Sequence, residues 1–147
     1  MTIPSDLKKR VLQEIEAQVP ALLNLYRHFH AHPELSGQEA HTARRVAEEL
    51  SAAGCKVTTG IGGHGVVGVL ENGPGPVLML RADMDALPIQ EATGLPYASR
   101  ETAIGPQGQS ISVMHACGHD LHITNLVGTA RVVSGFRDMW NGSLLMV

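Results

Sequence analysis

The densest group of reactive side chains is Met114-His115-Ala116-Cys117-Gly118-His119-Asp120-Leu121-His122. In an extended segment alternate residues point the same way, so His115, Cys117 and His119 are expected to face one pocket. A thiolate and an imidazole two residues apart suit Zn²⁺ or a related divalent ion. Gly118 would let the backbone fold tightly around an ion. Asp120 is placed to cap the following helix or to hold a histidine's second nitrogen from outside the ligand set. Spacing alone leaves two other readings open. One is a buried thiol beside histidines that merely cap a helix. The other is a Cys–His nucleophilic pair, for which no oxyanion site or third residue is evident.

A second feature is Arg81-Ala82-Asp83-Met84-Asp85-Ala86-Leu87-Pro88. It directly follows an apolar run, and in open α/β sheets ligands sit outside the carboxyl ends of strands. Asp83 and Asp85 would project there on a shared side, to bind a metal or to orient a ligand from behind. The plainer reading is a turn in which Arg81 pairs with one aspartate. A third feature is His28-Phe29-His30-Ala31-His32-Pro33-Glu34. His28 and His32 have a spacing that can chelate on a helix, but no glutamate or third ligand supports it. Cationic side chains are common at helix C-termini, so these histidines read as structural. His41, on a polar helix face, and His64, in a glycine-rich loop, read as solvated.

The elements that must position these groups are legible from periodicity. Leu7, Val11, Ile15, Val19, Leu22, Tyr26 and Phe29 recur at intervals of three and four, the mark of one helix face. Pro20 removes a mid-helix hydrogen bond, which predicts a kink or two consecutive helices. His32-Pro33 closes the segment. Ser36-Gly37-Gln38-Glu39 reads as a capping box. It opens a helix with Ala43, Val46, Ala47 and Leu50 inward, and Gly54 as its left-handed cap. Lys56–Thr59 and Val66–Leu70 read as strands. Val77-Leu78-Met79-Leu80 has the continuous apolar character of a central strand buried on both faces. Pro88 to Ser112 reads as a long loop, and loops of that length tend to be functional. A last helix fits Leu121 to Ser134, with Ile123, Leu126, Val127, Ala130 and Val133 inward and Gly135 at its end. Ser143–Val147 begins a further strand that would leave a sheet edge exposed. The order α, α, β, β, β, α, β predicts a layered α/β domain.

Composition narrows the function classes. The chain has 147 residues, 44% of them hydrophobic, with a net charge of −3, which fits one globular domain and not a disordered chain. No run is long and apolar enough to span a bilayer, and the first residues lack the apolar core of a secretory signal, so a cytoplasmic protein is expected. The mild acidity and only five aromatic residues argue against a nucleic-acid groove. Cys55 and Cys117 could make one disulfide at most, and in such a chain a thiol is more often free, metal-bound or catalytic.

Three stretches together resemble the metal-dependent amidohydrolases, a family that includes hippurate hydrolases, N-acyl-amino-acid amidohydrolases and plant auxin-conjugate hydrolases. They are LYRHFHAHPELSGQEAHTARRVAEEL (residues 25–50), VLMLRADMDALPIQEATGLPYAS (77–99) and MHACGHDLHITNLVGTARVV (114–133). They stand in the family's order and at about its spacing. The resemblance implies that residues 1–147 are the amino-terminal part of a layered α/β/α catalytic domain, truncated before the family's dimerisation domain. It implies a site for two divalent ions (Zn, Mn, Ni or Co), with Cys117 as bridging ligand and His119 as a ligand to one ion. Asp85 resembles the aspartate that orients a metal ligand, with Asp83 a weaker candidate beside it. The reaction implied is hydrolysis of the amide of an N-acyl amino acid, with no nucleic-acid or membrane partner. The family's general base belongs to a Glu-Glu pair lying beyond Val147, and further ligands lie beyond that. The implied chain is therefore inactive alone, and would self-associate or be complemented by a carboxyl-terminal fragment. His115 or His122 could substitute as ligands. A non-catalytic metal- or partner-binding module is the alternative.

Overall fold

The computed structural model describes residues 4–147. Helix α1 (Ser5–Ala31) and helix α2 (Ala40–Ala52) precede strands β1 (Lys56–Ile61), β2 (Gly65–Asn72) and β3 (Val77–Leu80). A small hairpin, β4 (Thr102–Ile104) and β5 (Ser110–Ser112), follows within the long loop. Helix α3 (His119–Ser134), a 3₁₀ turn (Arg137–Met139) and strand β6 (Gly142–Met146) complete a mixed α/β fold.

The four-stranded sheet runs β1-β2-β6-β3. β2 pairs antiparallel with β1 and with β6, whereas β3 pairs parallel with β6. Burial alternates along β2 and β6, as a strand with one inward face requires. Val66, Leu70, Leu144 and Met146 thereby join Leu25, Phe29, Val46, Leu50, Ile123, Val127 and Ala130 in one core. The predicted inner faces of α2 and α3 are the observed ones. Gly54 follows α2 at φ +87°, the left-handed conformation the sequence required there.

Several expectations fail for physical reasons. Val77–Leu80 is the edge strand, not a central one. Val77, Leu78 and Met79 are 61–67% exposed, because β6 pairs with β3 on one side and no described strand pairs on the other. The Ser143–Val147 strand, expected to leave an edge open, is paired on both sides. Pro20 does not divide the first helix, which runs through it with the proline on the exposed face. The amino-terminal half of α1 leaves Ile15 and Val19 about two-fifths exposed, and its packing begins near Leu25, against α3.

The capping box also gives way. Ser36 makes no cap, and α2 begins at Ala40. The Glu34 carboxylate instead accepts the His41 and Thr42 amides (3.2 and 2.7 Å) and the Thr42 hydroxyl (2.8 Å). An anion at that helix start satisfies free N–H groups and complements the helix dipole.

Candidate functional site

Two backbone seams bring the reactive segments together. The Ala86 amide donates to the Glu34 carbonyl at 2.8 Å, and Leu35 and Ala86 form a parallel bridge. On the other side Leu87 and Met114 exchange both backbone hydrogen bonds at 3.0 Å. The segment after β3 is thus held between the end of α1 and the run that leads into Cys117.

The consequence for the two aspartates is clear. Asp85 Oδ1 and the Asp85 carbonyl accept from His119 Nδ1, at 3.0 and 2.9 Å. Both partners are acceptors, so Nδ1 carries a proton, and Nε2 is the nitrogen that neither of them engages. Asp83 faces elsewhere and takes a forked pair from Arg81, at 2.6 and 3.1 Å, with both side chains largely exposed. The plainer reading of this turn therefore describes Asp83, and the orienting geometry is found only at Asp85.

The cysteine–histidine run does not stay extended. Gly118 adopts φ +80°, and His119 opens helix α3 at once. This turn separates the residues expected on one face. His115 is buried, Cys117 is an exposed free thiol, and His119 is half-buried. His122 is exposed one helical turn beyond His119, their rings 5.7 Å apart. Among the described residues no three His, Cys, Asp or Glu side chains gather as a metal-holding group. Neither ring nitrogen of His115 has a hydrogen-bond partner there, and burial pushes its pKa down. The donor chemistry fits a divalent ion, while the donor number is that of a partial site.

Sequence reasoning missed His30. Its ring is buried, with Nδ1 2.7 Å from Asp120 Oδ2 and Nε2 3.1 Å from Glu91 Oε1. Asp120 does hold a histidine, but one from α1 and not from its own cluster. Two carboxylate acceptors require both nitrogens to be donors, hence an imidazolium. Burial opposes that charge, but the hydrogen bonds to Asp120 and Glu91 outweigh it and raise the His30 pKa. Glu91 is held low in the opposite sense: its desolvation is outweighed by hydrogen bonds from Thr93, Ser99 and His30. His28 and His32, stacked at 4.7 Å at the end of α1, are exposed and agree with the structural reading. His41 is exposed and His64 half-buried in the β1–β2 turn. Cys55 is the buried free thiol, its pKa pushed up by desolvation.

No helix among the described residues is long and apolar enough to cross a membrane. Residues 79–147 match peptidase family M20/M25/M40. A hydrolase of Synechocystis sp. is 52% identical over 79% of this chain and 28% of its own length. An N-acyl-L-amino acid amidohydrolase of Geobacillus stearothermophilus is 40% identical over 92% of this chain and 34% of its own length. A solved structure described as a dinuclear metal binding peptidase of the M20 family, from Bacillus subtilis, superposes with a TM-score of 0.77. It is 35% identical and covers 89% of this chain and 34% of that one. The chain thus spans about a third of the length of such relatives. The similarity over residues 79–147 is to peptidase family M20/M25/M40.

Proposed function

We propose that this chain supplies part of a di-metal site for hydrolysis of the amide bond in N-acyl amino acids. In this reading residues 1–147 are part of a metallohydrolase catalytic domain, working in the cytoplasm. Cys117 and His119 would hold the metal, and Asp85 would orient His119. The observation that carries the reading is the pairing of Asp85 with His119 Nδ1, beside an exposed thiol two residues away. A carboxylate behind a histidine is the arrangement that metal-ligating histidines use to fix their tautomer. Asp83, already engaged by Arg81, is the weaker candidate.

Divalent ions held there supply Lewis-acid polarisation of an amide carbonyl and activation of water at neutral pH. This chain's own residues do the preparatory work. Asp85 keeps the proton on Nδ1, and the Gly118 turn starts α3 so that His119 leaves the backbone next to Cys117. No described group here is placed as a general base, so turnover is assigned to the completed protein and not to these residues alone. Completion would come from a carboxyl-terminal segment or from self-association. The alternative of a non-catalytic metal- or partner-binding module is favoured by one observation, the shortage of donors.

The test is metal content by plasma mass spectrometry after anaerobic dialysis against Zn²⁺ and then metal-free buffer. The native chain should retain metal that Cys117→Ser and His119→Ala chains lose. Equal retention by all three would contradict the assignment.

A further inference from the structure

We propose that His30 is a positioning residue for this site, holding the first turn of α3 so that His119 stays aligned with Asp85. The inference rests on the metal-site reading for its purpose, though not for its geometry.

Three connections lead from the end of α1 to the site. The most direct is the hydrogen bond from His30 Nδ1–H to Asp120, the residue next to His119. Asp120 is itself buried, and its other oxygen accepts the Leu121 amide at 2.9 Å, so the carboxylate is fixed to the helix start. The second connection runs through Glu91, which accepts from His30 Nε2–H at 3.1 Å and from the Ser99 amide at 2.6 Å. The Ser99 hydroxyl donates to the Val113 carbonyl at 2.7 Å, just ahead of His115 and Cys117. The third is the backbone four residues beyond His30, where the Glu34 carbonyl takes the Ala86 amide beside Asp85. One short stretch, His30 to Leu35, therefore sets the positions of both partners in the Asp85–His119 pair.

The surroundings of His30 suit a fixed tie. Tyr26 and Tyr97 lie against its ring, at centroid distances of 5.6 and 5.3 Å. Both nitrogens are spoken for and the ring is buried, so it offers nothing to a ligand. Its reach is through other residues. Loss of such outer support around a metal ligand commonly costs ten- to a hundred-fold in metal affinity.

The test reads His119 directly, by long-range ¹H–¹⁵N NMR of its imidazole in the 147-residue chain without metal. The native chain should show His119 as the Nδ1–H tautomer alone. His30→Ala and the milder His30→Gln should both shift it toward a mixture of the two tautomers. Leu25→Ala, a buried change on the same helix outside the tie, should leave it unmoved. A Zn²⁺ titration of the same chains should show ten- to a hundred-fold weaker binding for the His30 variants alone. An unaltered His119 in folded His30→Gln would overturn the proposal, as would an equal shift in Leu25→Ala. Failure of the native chain to bind Zn²⁺, with the tautomer shift present, would sink the metal reading and leave the positioning role standing.

Discussion

The two histidine environments of this molecule differ in how completely they are closed. At His30 both ring nitrogens meet carboxylates, the ring is buried, and the partners come from α3 and the long loop. At His119 one nitrogen is committed to Asp85 and the other is not, the ring is half-open, and the neighbouring thiol is exposed. A fully matched polar cluster specifies structure, because every member would be costly to unpair. A half-matched one with a fixed tautomer is prepared for a further partner. The same contrast extends to the sheet, where β6 is paired on both sides and β3 on one.

The largest effect separating the regions should come from His30→Ala. It would leave Asp120 and Glu91 buried without their counter-charge, and breaking a buried pair in this way costs ~3–5 kcal/mol. Urea denaturation should show that loss. The tie also has a pH signature. The raised His30 pKa means that its contribution is fully present below the unfolded value of about 6.5 and is lost as pH rises through the folded value. The lowered Glu91 pKa means that its contribution holds above the ordinary carboxylate range and is lost as pH falls through the folded value. Stability should therefore decline in the native chain as pH rises above about 6.5, and His30→Gln should flatten that decline.

Asp85→Asn should act on the other region. It should leave stability nearly unchanged while weakening Zn²⁺ binding by roughly ten- to a hundred-fold, measured by competition with a chromogenic chelator. Asp83→Asn, which breaks only an exposed pair with Arg81, should do neither. A loss of metal on changing Asp83 but not Asp85 would reverse their assignment.

Glu34→Gln should cost about 1 kcal/mol through the start of α2, because a neutral amide oxygen is a poorer acceptor for two amides and a hydroxyl. The smallest stability change is expected for Met79→Lys on the β3 edge, within about 0.5 kcal/mol. Sedimentation should show the self-association proposed above for the native chain reduced in this variant, since a charge on an exposed apolar edge blocks strand pairing.

What the sequence revealed and what it hid follow from range. The inner faces of α2 and α3, the Gly54 turn and the four strands of the main sheet rest on local periodicity and were legible, whereas the β4–β5 hairpin lay inside the segment read as a loop. Strand order was not. Val77-Leu78-Met79-Leu80 has the composition of a buried strand, but its exposure is decided by what pairs beside it. The Ser36–Glu39 box was a sound local pattern, but the helix starts later, at Ala40, and it is the Glu34 carboxylate that takes the amides of its first turn, His41 and Thr42. In the site, Cys117, His119 and the aspartates were conspicuous by type and spacing. Spacing did not separate Asp85 from Asp83, because the choice depends on which way a turn faces; the family resemblance ranked Asp85 first, and its hydrogen bond to His119 gives the physical reason. His30 could not be read at all as a tie, since its partners lie 90 and 61 residues away.

The most direct test of the account is a Co²⁺ titration of the 147-residue chain, followed by absorption spectroscopy under anaerobic conditions. The account predicts a thiolate-to-cobalt charge-transfer band in the near ultraviolet that disappears in Cys117→Ser and weakens in Asp85→Asn. A cobalt spectrum without that band, or one that Cys117→Ser leaves intact, would contradict the assignment of Cys117 and His119 as metal ligands.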